Sequence, residues 1–252
     1  MRDYPAMVDH TTSVEPVPRR IRGVLGGAVV FDTTEAVYVW DSPKYPAYYI
    51  PVTDLDHSLL VGEGRSRRLR RGSARIFDLR VGDVTQPDAV RIYGSDADPG
   101  VADTARFEWT ALDAWYEEEE QVFVHPRNPY ARVDALRSSR PVRVELDGVA
   151  LAESASTVMV FETGLPTRYY FERTSVNFEV LTPSATVTEC PYKGRTSAYW
   201  TSRLGVSSVP DIAWSYDFHT RALSPIANLV AFYNELTDLT VGGKRLDRPA
   251  LS

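Results

Sequence analysis

The sequence predicts a mainly β chain made of two tandem, homologous units of small twisted sheets, with short helical segments. Three observations predict it. Apolar, β-branched and aromatic runs are short, and residues such as Gly, Pro, Asp and Ser bound them. The dipeptides Gly26-Gly27 and Asp147-Gly148 sit between such runs, and both are hairpin turns by composition. The pattern also returns in the second half without a gap. Arg19 meets Arg140, Arg22 meets Arg143, Leu25 meets Leu146 and Gly27 meets Gly148. Val37 and Val39 meet Val158 and Val160, and Tyr48-Tyr49 meet Tyr169-Tyr170. Conservative matches join them: Trp40 with Phe161, Asp41 with Glu162, Ile50 with Phe171. Matches at turn glycines and strand positions together point to an internal duplication.

Residues 1–18 are polar and proline-containing and read as a flexible N-terminal arm. The first β unit spans 19–125. Its opening, 19–32, is two strands around Gly26-Gly27; 36–40 is a third and 47–50 a fourth. An aromatic strand, Gly72-Ser-Ala-Arg-Ile-Phe77, follows a charged turn, and Phe107-Glu-Trp109 comes next. Residues 111–120 read as a short helix before a strand at 121–124. Pro126 and Pro129 break regular structure, and 126–139 read as a linker.

The second β unit spans 140–252. It repeats strand, turn and strand over 140–151, with a type I′ turn at Asp147-Gly148. Residues 157–161 and 168–171 match the third and fourth strands. Gly194-Arg-Thr-Ser-Ala-Tyr199 matches Gly72 to Phe77, and Ile212-Ala-Trp214 follows. The run 226–233 reads equally as a buried strand or one short helix, because periodicity does not separate them. A final hairpin covers 238–246.

Composition bounds the function. The chain has 252 residues, 43% hydrophobic and 25% charged, with net charge −6. That suits one large domain or two smaller ones with packed cores. A mildly acidic chain argues against nucleic acid, which needs a basic face. No apolar run nears the ~18 residues of a membrane span. Residues 1–19 lack a signal-peptide core, so the expected compartment is the cytoplasm. The single cysteine, Cys190, excludes a disulfide framework and a structural zinc held by four cysteines. No cofactor is expected, and the oligomeric state is not legible.

Particular residues carry a resemblance. Cys190-Pro-Tyr-Lys-Gly194 with Ala198-Tyr199, then Trp214-Ser-Tyr216, Ile226 and Val230-Ala-Phe-Tyr233, resemble the family described as domain of unknown function 427. The first half resembles the partner domain of tandem members, through the Glu-rich 117–120, Val122-Phe-Val-His-Pro-Arg127 and Ser138-Ser-Arg140. The resemblance covers nearly all of 19–246. It implies the β-tent fold, a small twisted β architecture similar to methionine sulfoxide reductase B and the thalidomide-binding domain of cereblon. It implies no activity. Several β-tent relatives hold a four-cysteine zinc, which this chain cannot.

Cys190 is the first candidate for chemistry. Pro191 holds it extended, and Lys193 stands near enough in sequence to support a thiolate. A buried, inert cysteine in a tight turn is the plainer account. Tyr169, Tyr170, Tyr192, Tyr199, Trp200, Trp214 and Tyr216 lie on or beside strands of the second unit. Such rings suit a flat or cationic ligand, though ordinary packing also explains them. Alternation places Tyr169 and Tyr170 on opposite faces, and Trp214 and Tyr216 on one. His10, His57, His125 and His219 are scattered without metal spacing. Arg65–Arg71 is a basic run that reads as solvated or paired internally, with Glu117–Glu120 as the obvious partner. A nucleotidyltransferase label attached to the family would need separated Gly-Ser and Asp-x-Asp elements. Here they are fused in Gly94-Ser-Asp-Ala-Asp-Pro-Gly100, a loop composition.

The leading expectation is a small-molecule-binding protein with its site in the second unit around Cys190, Lys193 and Trp214. Tyr169, Tyr192 and Trp214 would wall the ligand, and Arg195 or Arg221 would hold an anionic group. If chemistry follows binding, the sequence offers a thiol-assisted or acid–base reaction by Cys190, Lys193 and Tyr216. The rival expectation is a non-catalytic module in which the two repeats recognise a peptide or partner protein.

Overall fold

The computed structural model describes residues 12–204 and 208–250. The chain divides into two compact units, Val8–Asn128 and Pro129–Ser252. Each unit has a seven-stranded and a four-stranded sheet, and every strand pair described is antiparallel. In the first unit the larger sheet runs Val14–Pro16, Val37–Val39, Ala47–Pro51, Thr104–Phe107, Val84–Tyr93, Gly72–Val81, Leu60–Leu69. In the second it runs Val133–Ser138, Thr157–Glu162, Arg168–Phe171, Val230–Phe232, Ala213–Ser215, Ala198–Ser202, Leu181–Ser184. The order is the same. The smaller sheets also correspond. One is Glu120–Val122, Ala114–Glu117, Ile21–Leu25, Ala28–Thr33; the other is Lys244–Leu246, Asp238–Val241, Val142–Leu146, Val149–Ser154. The second unit adds a three-stranded sheet of Glu189–Cys190, Gly194–Arg195 and Phe218–His219.

Period-two alternation dictates which residues go inside. Ile21, Gly23 and Leu25 point inward in one unit, and Val142, Val144 and Leu146 in the other. Both strands carry a bulge at the same place, between Gly23 and Val24 and between Val144 and Glu145. One face of each large sheet closes on the small sheet. The cores there include Ile21, Phe31, Trp40, Phe77 and Trp115 in the first unit, and Val144, Tyr169, Phe171, Trp200 and Phe232 in the second. The opposite face of the second unit buries Tyr170, Tyr199, Trp214, Tyr216 and Ile226. The helical segments described are all short 3-10 turns, and no helix is long and apolar enough to cross a membrane.

Four expectations need correction. Residues 111–120 do not form a helix. Ala114–Glu117 is a strand whose Trp115 and Glu117 are buried, and Glu118 turns the chain at φ 52° into Glu120–Val122. Of the run 226–233, only Val230–Phe232 is a buried strand, and Ile226 ends a 3-10 segment that begins at Arg221. Strands also occupy stretches expected to be irregular. Val14–Pro16 pairs with Val37–Val39, and Val133–Ser138 pairs with Thr157–Glu162; the rest of the expected arm, 1–11, lies outside the described residues. The repeat is not gapless throughout. Ala105 pairs with both Ile50 and Ile92, as Val230 pairs with Phe171 and Ser215. Counting back along the registers, Val90 faces Phe77 and its counterpart Ala213 faces Trp200. Phe77 therefore corresponds to Trp200 rather than Tyr199, and the second unit carries one extra residue after Gly194.

Gly194 marks a tight approach. Its φ is +100°, and an added Cβ would sit 2.2 Å from the Phe218 carbonyl oxygen. Gly148 also has positive φ, +80°, but nothing lies within 4 Å of its Cβ position. Gly148→Ala is expected to cost about 1 kcal/mol, the strain of a left-handed residue. Gly194→Ala is expected to cost about 3 kcal/mol or more, because backbone must move. Urea titration of both variants checks the difference, and equal losses would contradict it.

Candidate functional site

The candidate site is assembled by the turn between Cys190 and Gly194. Pro191 fixes the entry to the turn, and Cys190 pairs across it with Gly194. Gly194 in turn pairs with His219. Two bonds from Thr220 fasten the turn from below: its N–H donates to the Lys193 carbonyl at 3.0 Å, and its hydroxyl to the Tyr192 carbonyl at 2.6 Å. This geometry drives the Lys193 side chain inward, where the residue is 8% exposed.

The buried ammonium meets Glu162, at the end of its strand, in a short charge-assisted hydrogen bond. The Cys190 sulfur lies 3.9 Å from the same nitrogen and is partly exposed. Burial acts to lower the Lys193 pKa, but attraction to Cys190 and Glu162 outweighs it and holds the ammonium above its ordinary value. Behind the pair stands Tyr170, fully buried, whose hydroxyl accepts from the Trp214 indole N–H at 3.3 Å. Burial pushes the Tyr170 phenol up to about 12. It pushes Tyr216 well above the ordinary tyrosine range too. Trp214 is further held by Tyr233, 4.5 Å between ring centres, and by Arg168, whose guanidinium stacks 5.7 Å from the Trp214 ring and 5.5 Å from the Tyr233 ring. Arg168 is locked by a bidentate pair with Glu235 at 2.6 and 2.7 Å.

The expected residues are thus partly united. Cys190, Lys193, Trp214 and Tyr216 belong to one face of the large sheet and the turn above it. Tyr169 does not join them; it packs into the opposite core, as alternation requires. Arg195 and Arg221 are exposed, and Tyr192 enters the description through its carbonyl. Proton transfer near neutral pH does not suit Lys193 or Tyr216, since both are held in their protonated forms. Glu162, Arg168 and Glu235 were missed, and Tyr170 was read only as one of the strand aromatics. A signal for the first existed in the repeat: an acid at 41 and 162 and a base at 71 and 193. The first unit makes the same pair. Arg71, 5% exposed, donates to Asp41 at 2.7 Å and to the Trp40 carbonyl at 2.8 Å, and Tyr49 lies 3.3 Å from Asp41.

The basic run is paired internally, but with aspartates rather than glutamates. Arg65 meets Asp88, Arg68 meets Asp96, and Arg71 meets Asp41 and Asp98. Glu117 and Glu119 pair instead with Arg19, Arg20, Arg22 and Arg127. Asp96 and Asp98 of the Gly-Ser-Asp-Ala-Asp loop are therefore engaged in structural ion pairs.

The two units match a family model separately, over residues 13–118 and 134–243, under the description Domain of unknown function (DUF427). The chain belongs to this family. It carries the family domain twice, with an acid–base pair at matched positions in each copy. No curated protein matches the chain in sequence.

Lys193→Met leaves the Glu162 carboxylate buried and unpaired, and is expected to cost about 3–5 kcal/mol in denaturant titration. Lys193→Met combined with Glu162→Leu should recover most of that loss; a double variant as unstable as the single would refute pairing as the cause. A pH effect follows from Glu235. Burial acts to raise its pKa, but the Arg168 hydrogen bonds prevail and hold it below the usual carboxylate range. Its stabilising contribution is complete above about pH 4.3, the unfolded value, and fades as pH falls through the lower folded value. Arg168→Gln should flatten that acid limb in melts recorded below about pH 4.3.

Proposed function

We propose that the protein binds a small molecule in its second unit, where the partly exposed Cys190 sulfur adjoins the buried Lys193–Glu162 pair. The observation that carries this reading is the fixed ammonium 3.9 Å from the sulfur of a partly exposed cysteine. Glu162 and the turn hold that cation in place, so a ligand meets a preorganised charge. Trp214 and Tyr170 stiffen the floor beneath it rather than forming the contact surface, since both are buried. Arg195 and Arg221, exposed on the neighbouring segments, supply mobile positive charge for an anionic group. The protonated states of Lys193 and Tyr216 favour binding over acid–base chemistry. A second reading, docking of a partner protein, draws on Phe218, which is 70% exposed on the strand beside Gly194.

Alkylation of Cys190 tests the site, with Cys190→Ser as the blank. The folded protein should react, and should prefer anionic iodoacetate over neutral iodoacetamide severalfold more than a free cysteine peptide does. Labelling that needs unfolding, or a preference equal to the peptide's, would end this reading. Native mass spectrometry of the purified protein separates the two occupants: a bound small molecule that slows labelling supports the site, and a bound polypeptide supports docking.

A further inference from the structure

A cavity lies on the other side of the same sheet from the Cys190 site. It has a volume of about 270 Å³, and its lining includes Arg140, Phe161, Thr167, Tyr169, Val241 and Lys244, with Leu246. That is near the lower end of ligand-sized cavities, roughly 300 Å³. Its walls are two cations, two aromatic rings, two aliphatic side chains and the buried Thr167. Arg140 and Lys244 are both exposed. Among the described residues neither has a carboxylate partner, and the Arg140 guanidinium finds the Met159 sulfur at 3.0 Å.

The first unit shows what this place holds when it is filled. The registers make the correspondence. Glu117 faces Ile21 and Glu120, as Val241 faces Val142 and Lys244. Tyr48 faces Tyr38, as Tyr169 faces Met159. Arg19 corresponds to Arg140 in the repeat. In the first unit the Glu117 carboxylate is 3% exposed, and it accepts a short bond from the Tyr48 hydroxyl, with Arg19 at 2.9 Å and Arg127 at 3.5 Å. The chain therefore supplies its own anion there. In the second unit the arginine and the tyrosine are kept, the carboxylate is replaced by Val241, and a lysine replaces Glu120. The charge of the place reverses, and a cavity opens.

We propose that this cavity binds a small organic carboxylate with an apolar or aromatic body. The carboxylate takes the role of the first unit's Glu117 toward Arg140 and Lys244. The body lies against Phe161, Val241 and Leu246, where burial of apolar surface drives binding. Arginine supplies a forked donor for the carboxylate, and the exposed lysine adds charge. This site is independent of the one at Cys190, because the two lie on opposite faces of the sheet.

Titration with phenylacetate and its neutral analogue phenylacetamide, followed by saturation-transfer NMR, tests the proposal. Phenylacetate should saturate in the millimolar range or below, with the amide at least roughly tenfold weaker. Arg140→Gln and Lys244→Ala change exposed residues, and each should weaken phenylacetate roughly tenfold. Val241→Glu restores the first unit's internal carboxylate and should abolish binding. Should that variant not fold, the two surface variants decide the matter. Equal affinity for acid and amide, no saturation by either, or unchanged binding in Arg140→Gln would overturn the proposal. Protein alkylated at Cys190 should bind phenylacetate as before, which keeps this test separate from the thiol site.

Discussion

Each unit is organised around one acid–base pair: Lys193 with Glu162, both buried, in the second, and the buried Arg71 with the partly exposed Asp41 in the first. The pair fastens the turn before a positive-φ glycine to the end of a sheet strand. Burying two charges costs solvation that Coulomb attraction alone seldom returns, so the surrounding hydrogen bonds matter. In the first unit the Trp40 carbonyl and Asp98 share the guanidinium. In the second, the Thr220 bonds hold the turn and Tyr170 stands at the back. Removing Asp41, or either partner of the second pair, would strand a charge in the interior. The turn sequence is thereby constrained at three points at once: the base, the glycine that follows it, and the acid far back in the chain.

Outside that pair the two units have diverged by filling different hollows. The first unit closes one with Glu117, Arg19 and Tyr48, where the second leaves the Arg140–Lys244 cavity. The second unit closes another with Arg173 stacked on Phe178 and Trp200 at 5.1 and 5.3 Å. There the first unit has a cavity lined by His57, Arg75 and Phe77, with Phe77 at the place of Trp200. A duplicated scaffold makes this reading possible. What one copy buries states which chemistry the other copy leaves unmet.

Much of the fold was legible because it depends on local rules. The hairpins follow from Gly26-Gly27 and Asp147-Gly148, whose φ values are all positive. The separation of Tyr169 from Tyr170 follows from alternation alone. The errors came where tertiary context overrode composition. Residues 117–120 look like a helical acidic run, yet Glu117 is an inward strand residue held by Arg19 and Tyr48. Such long-range partners leave no trace in local sequence. The Lys193–Glu162 pair was half legible, because the repeat preserves an acid and a base at matched positions. Its meaning needed the knowledge that the turn folds back onto the sheet. The extra residue after Gly194 was not legible, since the flanking residues mimic a continuous match.

The asymmetry between the units bears on where function resides. Opposite the turn glycine, where the second unit has Cys190, the first unit has Leu69. At the place of Val241 it has Glu117, which is bound to three partners. The first unit thus has an apolar side chain at one place and answers its own charges at the other. The second unit presents a partly exposed sulfur beside a fixed cation at one, and two cations without carboxylate partners among the described residues at the other. Charged groups left unanswered by their own chain are the ordinary mark of a surface meant for another molecule. Stability alone would favour the first unit's solution in both copies. The second copy's departure from it, toward two cations without carboxylate partners beside Val241, is the physical argument for an anionic ligand there.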